Sequence, residues 1–171
     1  MADASAMREL VQGLADLGHR RFLHLAGPAD YASARARVKV YLESVEGLGL
    51  RSDGVIATAW DAESARAAIL ALDVHDRPTA VAAANDLVAA GAVRGALERG
   101  WRVPDDLSVT GWDDAPLGRY LSPALTTVTQ DFERVGAQAA TELIARIRGE
   151  GAPNPAGAPL HAVVWRESTG P

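Results

Sequence analysis

The chain contains no cysteine, which excludes disulfide bonds, thiolate metal sites and cysteine nucleophiles and leaves the redox compartment undetermined. No apolar run approaches the length that spans a bilayer. The start of the chain carries acids and lacks the basic and continuously apolar regions of a secretory signal. We therefore expect a cytoplasmic protein without a membrane partner.

Positive charge is also scarce, and it comes almost entirely from arginine, because Lys39 is the only lysine. The formal net charge of −5 is opposite to that of a domain that binds nucleic acid by itself. The 171 residues are 48% hydrophobic and 23% charged, which is typical of one globular domain with a real core. Aromatic residues make up only 5%, so Ala, Val and Leu must fill most of the interior.

Short apolar runs alternate along the chain with amphipathic segments of helical period. The strand-like runs are "FLHLAGP", "GVIATAW", "TAVAAAND", "LSVTGWDD", "LTTVTQ" and "LHAVVWRE". Between them, apolar residues recur every three or four positions and stop at glycines, as at Gly18 and Gly47. This alternation with short loops predicts an α/β fold with a mainly parallel sheet and helices on both faces, in three layers.

Polar and aromatic residues follow the predicted strands, where open parallel sheets bind their ligands. The residues at these strand ends and on the neighbouring helix are Arg35, Arg37, Trp60, Asn85, Asp86, Trp112, Asp113, Asp114, Gln130 and Asp131. Carboxylate, amide and guanidinium groups bind hydroxyls, and an indole offers a flat apolar face. The set suits a small neutral polyol or sugar, with Asp113 as the central acceptor.

Most of these residues also have a purely structural interpretation. Asp61 and Asp86 are most simply helix caps, and Asp131 can cap the helix that follows it. Asp114 can pair locally with Arg119. Trp60 can be a partly exposed packing residue, and Arg35 and Arg37 can be solvated helix charges.

Catalysis has little support in the sequence. No G-x-S-x-G motif or Ser/His/Asp set is found, and the four histidines have no metal-ligand spacing. Asp113 and Asp114 could hold Mg²⁺ in a phosphotransferase-like site, for which "AGPAD" is only a weak phosphate loop. The segment "GLGLRSDG" precedes a strand and therefore does not fit a dinucleotide loop. We predict no catalytic residue, no metal site and no cofactor.

Several long stretches together have a family likeness. They are "LGHRRFLHLAGP", "SARARVKVYLESV", "PTAVAAANDLVAAGAVRGALERGWRVPDDLSVTGWDD", "YLSPALTTVTQDFERVGAQAATELIARI" and the ending "VVWRESTGP". In this order and spacing, the chain resembles the lactose and galactose repressor family of bacterial transcription regulators. The resemblance implies a helix-turn-helix headpiece followed by two α/β subdomains resembling periplasmic sugar-binding proteins, with an effector in the cleft between them.

The resemblance also assigns effector-binding positions in this chain. They are Ser33 and Arg37 in "SARARV", Trp60 after the second strand, Asn85 in "AAND", Asp113 in "GWDD" and Gln130 in "TVTQDF". The pattern is nearer to the lactose-repressor members than to the purine-responsive ones, which implies a sugar effector.

The same resemblance divides the chain into four segments. Residues 1–18 are expected to be a helix of the N-terminal subdomain, 19–130 the C-terminal effector-binding subdomain, 131–150 a second N-terminal-subdomain helix, and 151–171 a linker with a returning strand. Compared with the family, we expect this sequence to lack the headpiece and most of the sheet of the first subdomain. The apolar stripes of helices 7–17 and 131–148 then lack their usual cover, which favours association. We expect a homodimer that can exchange helices, weak or undetectable sugar binding by this chain alone, and DNA contact only through a headpiece.

The leading hypothesis is the effector-sensing and dimerisation portion of a transcriptional regulator that controls DNA binding allosterically. The alternatives are a sugar-binding protein of a transport system and a Mg²⁺-dependent α/β enzyme that uses Asp113 and Asp114.

Overall fold

A computed structural model describes residues 4–151 and 160–171. The helices are α1 (Ala6–Asp16), α2 (Ala32–Gly47), α3 (Ala62–Leu70), α4 (Asp86–Glu98) and α5 (Phe132–Ile147). The strands are β1 (Arg21–Ala26), β2 (Arg51–Ala57), β3 (Ala80–Ala83), β4 (Ser108–Thr110), β5 (Thr127–Gln130) and β6 (His161–Val164), and a short 3₁₀ helix covers Pro116–Tyr120. Each strand-like run overlaps one strand. Most of the expected connection at 150–159 lies outside the described residues.

The main sheet is parallel, as predicted. Its four strands have the order β2-β1-β3-β4, and a parallel bridge joins Thr110 at its edge to Thr126. The strands β5 and β6 form a separate antiparallel pair. Because strands 1 to 4 run in one direction, their carboxyl ends share one edge of the sheet.

The two faces of the sheet are covered by different helices. Leu25, Val81 and Val109 belong to a cluster with the apolar residues of α3 and α4. Phe22 and Ala82 belong to a second cluster with those of α1 and α2. Successive strand residues point to opposite faces, so strands buried on both sides read as continuous apolar runs. The predicted three-layer α/β architecture is confirmed.

The helix α1 packs on this sheet and buries its own stripe. Met7, Leu10 and Leu14 are buried in the cluster that contains Phe22. Gly18 follows the helix with φ 108°, a left-handed conformation that glycine adopts without strain. The expectation that the α1 stripe lacks cover is therefore wrong, because the sheet of the same chain supplies it.

The helix α5 differs from α1, because its apolar side chains stay in solvent among the described residues. Those exposed are Phe132, Leu143, Ile144 and Ile147, the last with 76% of its surface accessible. For α5 the expectation of an uncovered stripe is met. No helix of the described segments is long and apolar enough to cross a membrane.

The helices α3 and α4 approach closely at a glycine. A Cβ atom added to Gly91 would lie 2.0 Å from the carbonyl oxygen of Ala62. The contact is with backbone, so it cannot be relieved by turning a side chain. In α5, a Cβ atom added to Gly136 would meet nothing within 4 Å among the described residues.

The two glycines form a matched pair for a stability test. We expect Gly91→Ala to lower the free energy of unfolding by about 1–3 kcal/mol, because the helices must separate. We expect Gly136→Ala to raise it by roughly 0.5–1 kcal/mol, because only helix propensity changes. Urea unfolding followed by circular dichroism measures both. A Gly91→Ala variant as stable as the parent would contradict the close approach.

Candidate ligand-binding site

Arg37 connects the ends of two strands at the carboxyl edge of the sheet. Its Nη1 donates a hydrogen bond of 2.6 Å to the carbonyl oxygen of Ala84, just after β3. Its guanidinium carbon lies 4.3 Å from the centre of the Trp112 ring, and its Nη2 lies 3.9 Å from Oδ1 of Asp113, both just after β4. Arg37 is buried, and burial lowers its pKa while Asp113 opposes this shift. The interpretation of Arg37 as a solvated charge is wrong.

Arg35 lies on the same helix as Arg37 but is in contact with solvent. It is exposed, and its Nη1 donates to the carbonyl oxygens of Ala29 and Asp30. Two residues apart on a helix face nearly opposite directions, so only Arg37 turns toward the sheet edge. For Arg35 the structural interpretation holds.

The Asp113 carboxylate is held from inside and open to solvent. Its Oδ1 accepts a hydrogen bond of 2.7 Å from Nε2 of Gln130, while 41% of its side chain is exposed. Among the described residues, no hydrogen bond to Oδ2 is found. Burial raises the pKa of Asp113, while Arg37, Gln130 and His161 act to lower it. The carboxylate is therefore placed to accept hydrogen bonds from a ligand at its outer oxygen.

Asn85, and not Asp86, is the cap of α4. Asn85 is the N-cap of α4, and its Oδ1 accepts from the backbone N–H of Val88 at 2.8 Å. The prediction that Asp86 is the cap is wrong, because its side chain points into the protein. The Asn85 amide nitrogen takes no part in the cap.

The buried Asp86 carboxylate binds the turn that carries Asp113. It accepts hydrogen bonds from the Thr127 hydroxyl and from the backbone N–H of Ala115, and its own N–H donates to the carbonyl oxygen of Trp112. Burial raises its pKa. A Cβ atom on Gly111 would lie 2.2 Å from Oδ1 of Asp86, so this position requires glycine. Asp86 thus fixes the turn without facing a ligand.

Asp114 pairs locally, as predicted. Its carboxylate accepts from Arg119 at 3.0 Å and also forms an ion pair with Arg166. Both oxygens are therefore engaged, and a magnesium site that used Asp113 and Asp114 together would have to break these pairs. No group of three or more metal-ligating side chains is found within residues 4–151 and 160–171.

Trp60 and Ser33 lie at the same edge but away from the Asp113 contacts. Trp60 has φ 62°, its ring covers Gly27 so closely that a Cβ there would lie 2.3 Å from it, and Tyr31 meets the ring edge-on at 5.8 Å. Ser33 lies in the first turn of α2, one turn before Arg37, and is half-buried. The structure brings Arg37, Asp113 and Gln130 together, places Asn85 beside them, and leaves Trp60 and Ser33 along the rim.

His161 is a neighbour of the site that the sequence analysis missed. Its Nε2 lies 3.2 Å from Oε1 of Gln130, and its ring centre is 5.7 Å from that of Trp112. The signal that could have found it is the antiparallel pairing of β5 with β6, whose register sets Gln130 opposite His161. That pairing is not visible in the spacing of the residues.

The layers, the parallel sheet and the polar rim define an α/β domain of the periplasmic-binding-protein type. The family described as periplasmic binding protein-like domain matches residues 11–169, and the chain belongs to this family. Its resemblance to the lactose and galactose repressors is confirmed by similar proteins and structures.

Two relatives illustrate the similarity in sequence. An uncharacterized HTH-type transcriptional regulator from the aml 5′ region of Streptomyces limosus is 39% identical over 150 residues, covering 85% of this chain and 42% of the relative. The HTH-type transcriptional regulator MalR of Streptomyces coelicolor is 34% identical over 173 residues, covering 98% of this chain and 50% of the relative. The chain thus spans about half the length of the curated relatives it matches. They are named as regulators and not as enzymes.

Solved structures of this repressor family have the same fold as this chain. A lac repressor dimer bound to operator and the anti-inducer ONPF superposes with a TM-score of 0.87 at 31% identity, covering 96% of this chain and 58% of that one. A LacI family transcriptional regulator from Bifidobacterium animalis subsp. lactis superposes with a TM-score of 0.86 at 29% identity, covering 100% of this chain and 63% of that one.

His24 lies beneath the site and gives the fold a pH dependence. It is fully buried, its Nδ1 donates to the carbonyl oxygen of Ala82 at 2.7 Å, and its ring stacks on Tyr41 at 5.1 Å. Burial lowers its pKa from 6.5 to about 4, and the nearby Arg37 acts in the same direction. Between these two pH values the unfolded chain binds a proton that the folded chain does not, so stability falls as the pH falls.

We expect His24→Phe, which keeps a ring against Tyr41, to flatten the dependence of unfolding free energy on pH between about 6.5 and 4. His19, whose pKa burial also lowers, supplies part of the remaining slope. Urea unfolding at a series of pH values measures the slope. Equal slopes for parent and variant would contradict the role of His24.

Proposed function

We propose that this chain is the effector-binding and dimerisation portion of a transcriptional regulator of the lactose and galactose repressor family, with a small neutral sugar as effector. The observation that carries the proposal is the half-open Asp113 carboxylate held between Arg37 and Gln130. DNA contact would belong to a headpiece outside this chain, and a cytoplasmic location follows from such a role.

The charges of the site support a neutral ligand with hydroxyl groups. One buried guanidinium lies beside one carboxylate. An anionic ligand would therefore be repelled by Asp113, and a cationic ligand would be repelled by Arg37. Hydroxyls can donate to Oδ2 of Asp113 and accept from Arg37 and from the amide nitrogen of Asn85. Trp60 offers a flat apolar face to the C–H side of a sugar ring, and Ser33 offers one more hydroxyl.

The proposed mechanism is linkage between the effector and DNA affinity. An effector that binds one arrangement of two subdomains better than another shifts their equilibrium by its difference in affinity. Gln130 ends β5 immediately before α5, so a ligand at Asp113 lies next to the point where the chain leaves the sheet. The segments 19–130, 131–150 and 151–171 remain our proposal for how the two subdomains share the chain, whereas the helix in segment 1–18 packs on the sheet of 19–130 and is grouped with it.

The alternatives have less support. A transport protein would share the fold, but the relatives named above are transcriptional regulators. A magnesium enzyme would need Asp114, whose oxygens already bind two arginines.

Adjacent aspartates provide a matched test of the effector site. We expect Asp113→Asn to weaken the binding of neutral mono- or disaccharides about 10- to 100-fold, because hydrogen bonds to a charged acceptor are lost. We expect Asp114→Asn to lower thermal stability and to leave sugar affinity nearly unchanged, because it breaks ion pairs away from the ligand. Titration with each sugar, followed by chemical-shift changes in ¹H–¹⁵N spectra, measures dissociation constants as weak as roughly the millimolar range. Sugar affinity that is equal in Asp113→Asn and in the parent would overturn the proposed role of Asp113.

A homodimer is the second part of the proposal, and one apolar surface supports it. The exposed Leu87 and Leu117 line a groove of about 100 Å³ together with Ala90 and Leu121, and the exposed Tyr120 directly precedes Leu121. The Asp86 hydrogen bonds to the neighbouring turn hold this surface in place, so little conformational freedom is lost on association. The exposed face of α5 is a separate apolar surface.

Two variants, each placing a glutamate on one of the two apolar surfaces, distinguish between them. We expect Leu117→Glu, at 69% exposure, to give monomers, because a charge would be buried in the interface. We expect Ile147→Glu on α5, at 76% exposure, to remain dimeric. Light scattering coupled to size-exclusion chromatography measures the mass. A monomeric parent would refute the dimer, and a monomer only with Ile147→Glu would move the interface to α5.

A further inference from the structure

A line of hydrogen bonds reaches Asp113 from the antiparallel strand pair. His161 Nε2 lies 3.2 Å from Gln130 Oε1, and Gln130 Nε2 lies 2.7 Å from Asp113 Oδ1. We propose that His161 is a positioning residue of the ligand site, which fixes the direction of the Asp113 carboxylate through the Gln130 amide. Its effect on sugar recognition rests on the proposed function, whereas its effect on Asp113 does not.

The backbone fixes where His161 stands. In the register of β5 and β6, Gln130 pairs with His161, and the backbone N–H of Asp131 donates to the carbonyl oxygen of Leu160 at 2.9 Å. Side chains directly opposite each other in an antiparallel pair share one face and lie within contact distance. His161 therefore meets the Gln130 amide because of strand pairing.

The chemistry of the donors and acceptors fixes which group donates in each of these two hydrogen bonds. The Asp113 carboxylate accepts and cannot donate, so Gln130 must present its NH₂ group to it. The Gln130 oxygen then faces His161, whose Nε2 must carry a hydrogen and donate it. Turning the Gln130 amide around would set its oxygen against the carboxylate, and His161 opposes that turn.

The same histidine and Arg37 share one indole. Trp112 is fully buried, the His161 ring is tilted 54° to it at 5.7 Å, and the Arg37 guanidinium lies 4.3 Å from its ring centre. Asp113 thus has Arg37 as a direct neighbour, and it is connected to His161 through the Gln130 amide. Both His161 and Arg37 also lower the pKa of Asp113.

The arrangement keeps Asp113 and Arg37 available to a ligand. Their separation of 3.9 Å is at the outer limit of an ion pair. A carboxylate that could rotate freely would form a close bidentate pair with the guanidinium. Such a pair would occupy the groups that a ligand needs. The Gln130 bond holds Oδ1, with His161 behind it, and among the described residues Oδ2 accepts no hydrogen bond in a side chain that is 41% exposed.

The test uses three variants of His161 that differ in whether residue 161 can donate a hydrogen bond to the Gln130 oxygen. His161→Phe keeps a ring beside Trp112 and removes the N–H, whereas His161→Gln restores an N–H near the Nε2 position. In the parent we expect a downfield, slowly exchanging side-chain N–H of Gln130 in ¹H–¹⁵N spectra, because it is bound to a carboxylate. We expect His161→Phe to shift this signal toward that of a free amide and to speed its exchange, and His161→Gln to restore it. His161→Asn, whose shorter amide does not reach the Nε2 position, should show the same loss and replaces the Phe variant if that one does not fold.

The second readout is affinity for a neutral sugar that shifts the parent spectrum. We expect a loss of about 5- to 10-fold in His161→Phe, as for one lost hydrogen bond, and recovery in His161→Gln. Parent-like Gln130 signals in both His161→Phe and His161→Asn would overturn the positioning role. If the Gln130 signal responds as expected while sugar affinity stays at the parent value, the proposed effector role of Asp113 fails and the positioning role stands.

Discussion

The buried carboxylate of Asp86 is the interaction on which the site depends. It joins the start of α4 to the turn after β4 and to the first residue of β5 through the Ala115 N–H and the Thr127 hydroxyl. A carboxylate in this position is costly to desolvate unless its oxygens are hydrogen-bonded, and both are. Because the turn that it holds carries Asp113, the geometry of the rim is set by a residue that does not reach the ligand side.

The fold was predictable because its signals are local. Each buried strand is a short apolar run, and four of the five helices, α1, α2, α4 and α5, end at or near a glycine, so the order of the elements can be read from the sequence. Parallel strands then place their carboxyl ends on one edge, which is why Asn85 and Asp113 could be expected near each other without coordinates.

What the sequence could not reveal depends on choices between equivalent chemical groups or on distant pairing. Asn85 and Asp86 are both good caps, and the backbone angles of α4 decide which one caps. The stripe of α1 looks the same whichever sheet covers it. Arg35 and Arg37 have the same side chain, and only the helix rotation buries one of them. His161 reaches Gln130 through an antiparallel pairing across 31 residues, which no periodicity reports.

The rim is also built from backbone that side chains rarely adopt. Trp60, Asp113 and Asp114 have φ of 62°, 102° and 48°, and each such residue costs on the order of 1–3 kcal/mol. Selection for heat resistance alone would therefore tend to replace these positions with glycine or to reshape their turns, and the proposed effector site would change before the scaffold did. Laboratory evolution of a hardier variant would have to leave this strained border alone and improve the helices instead.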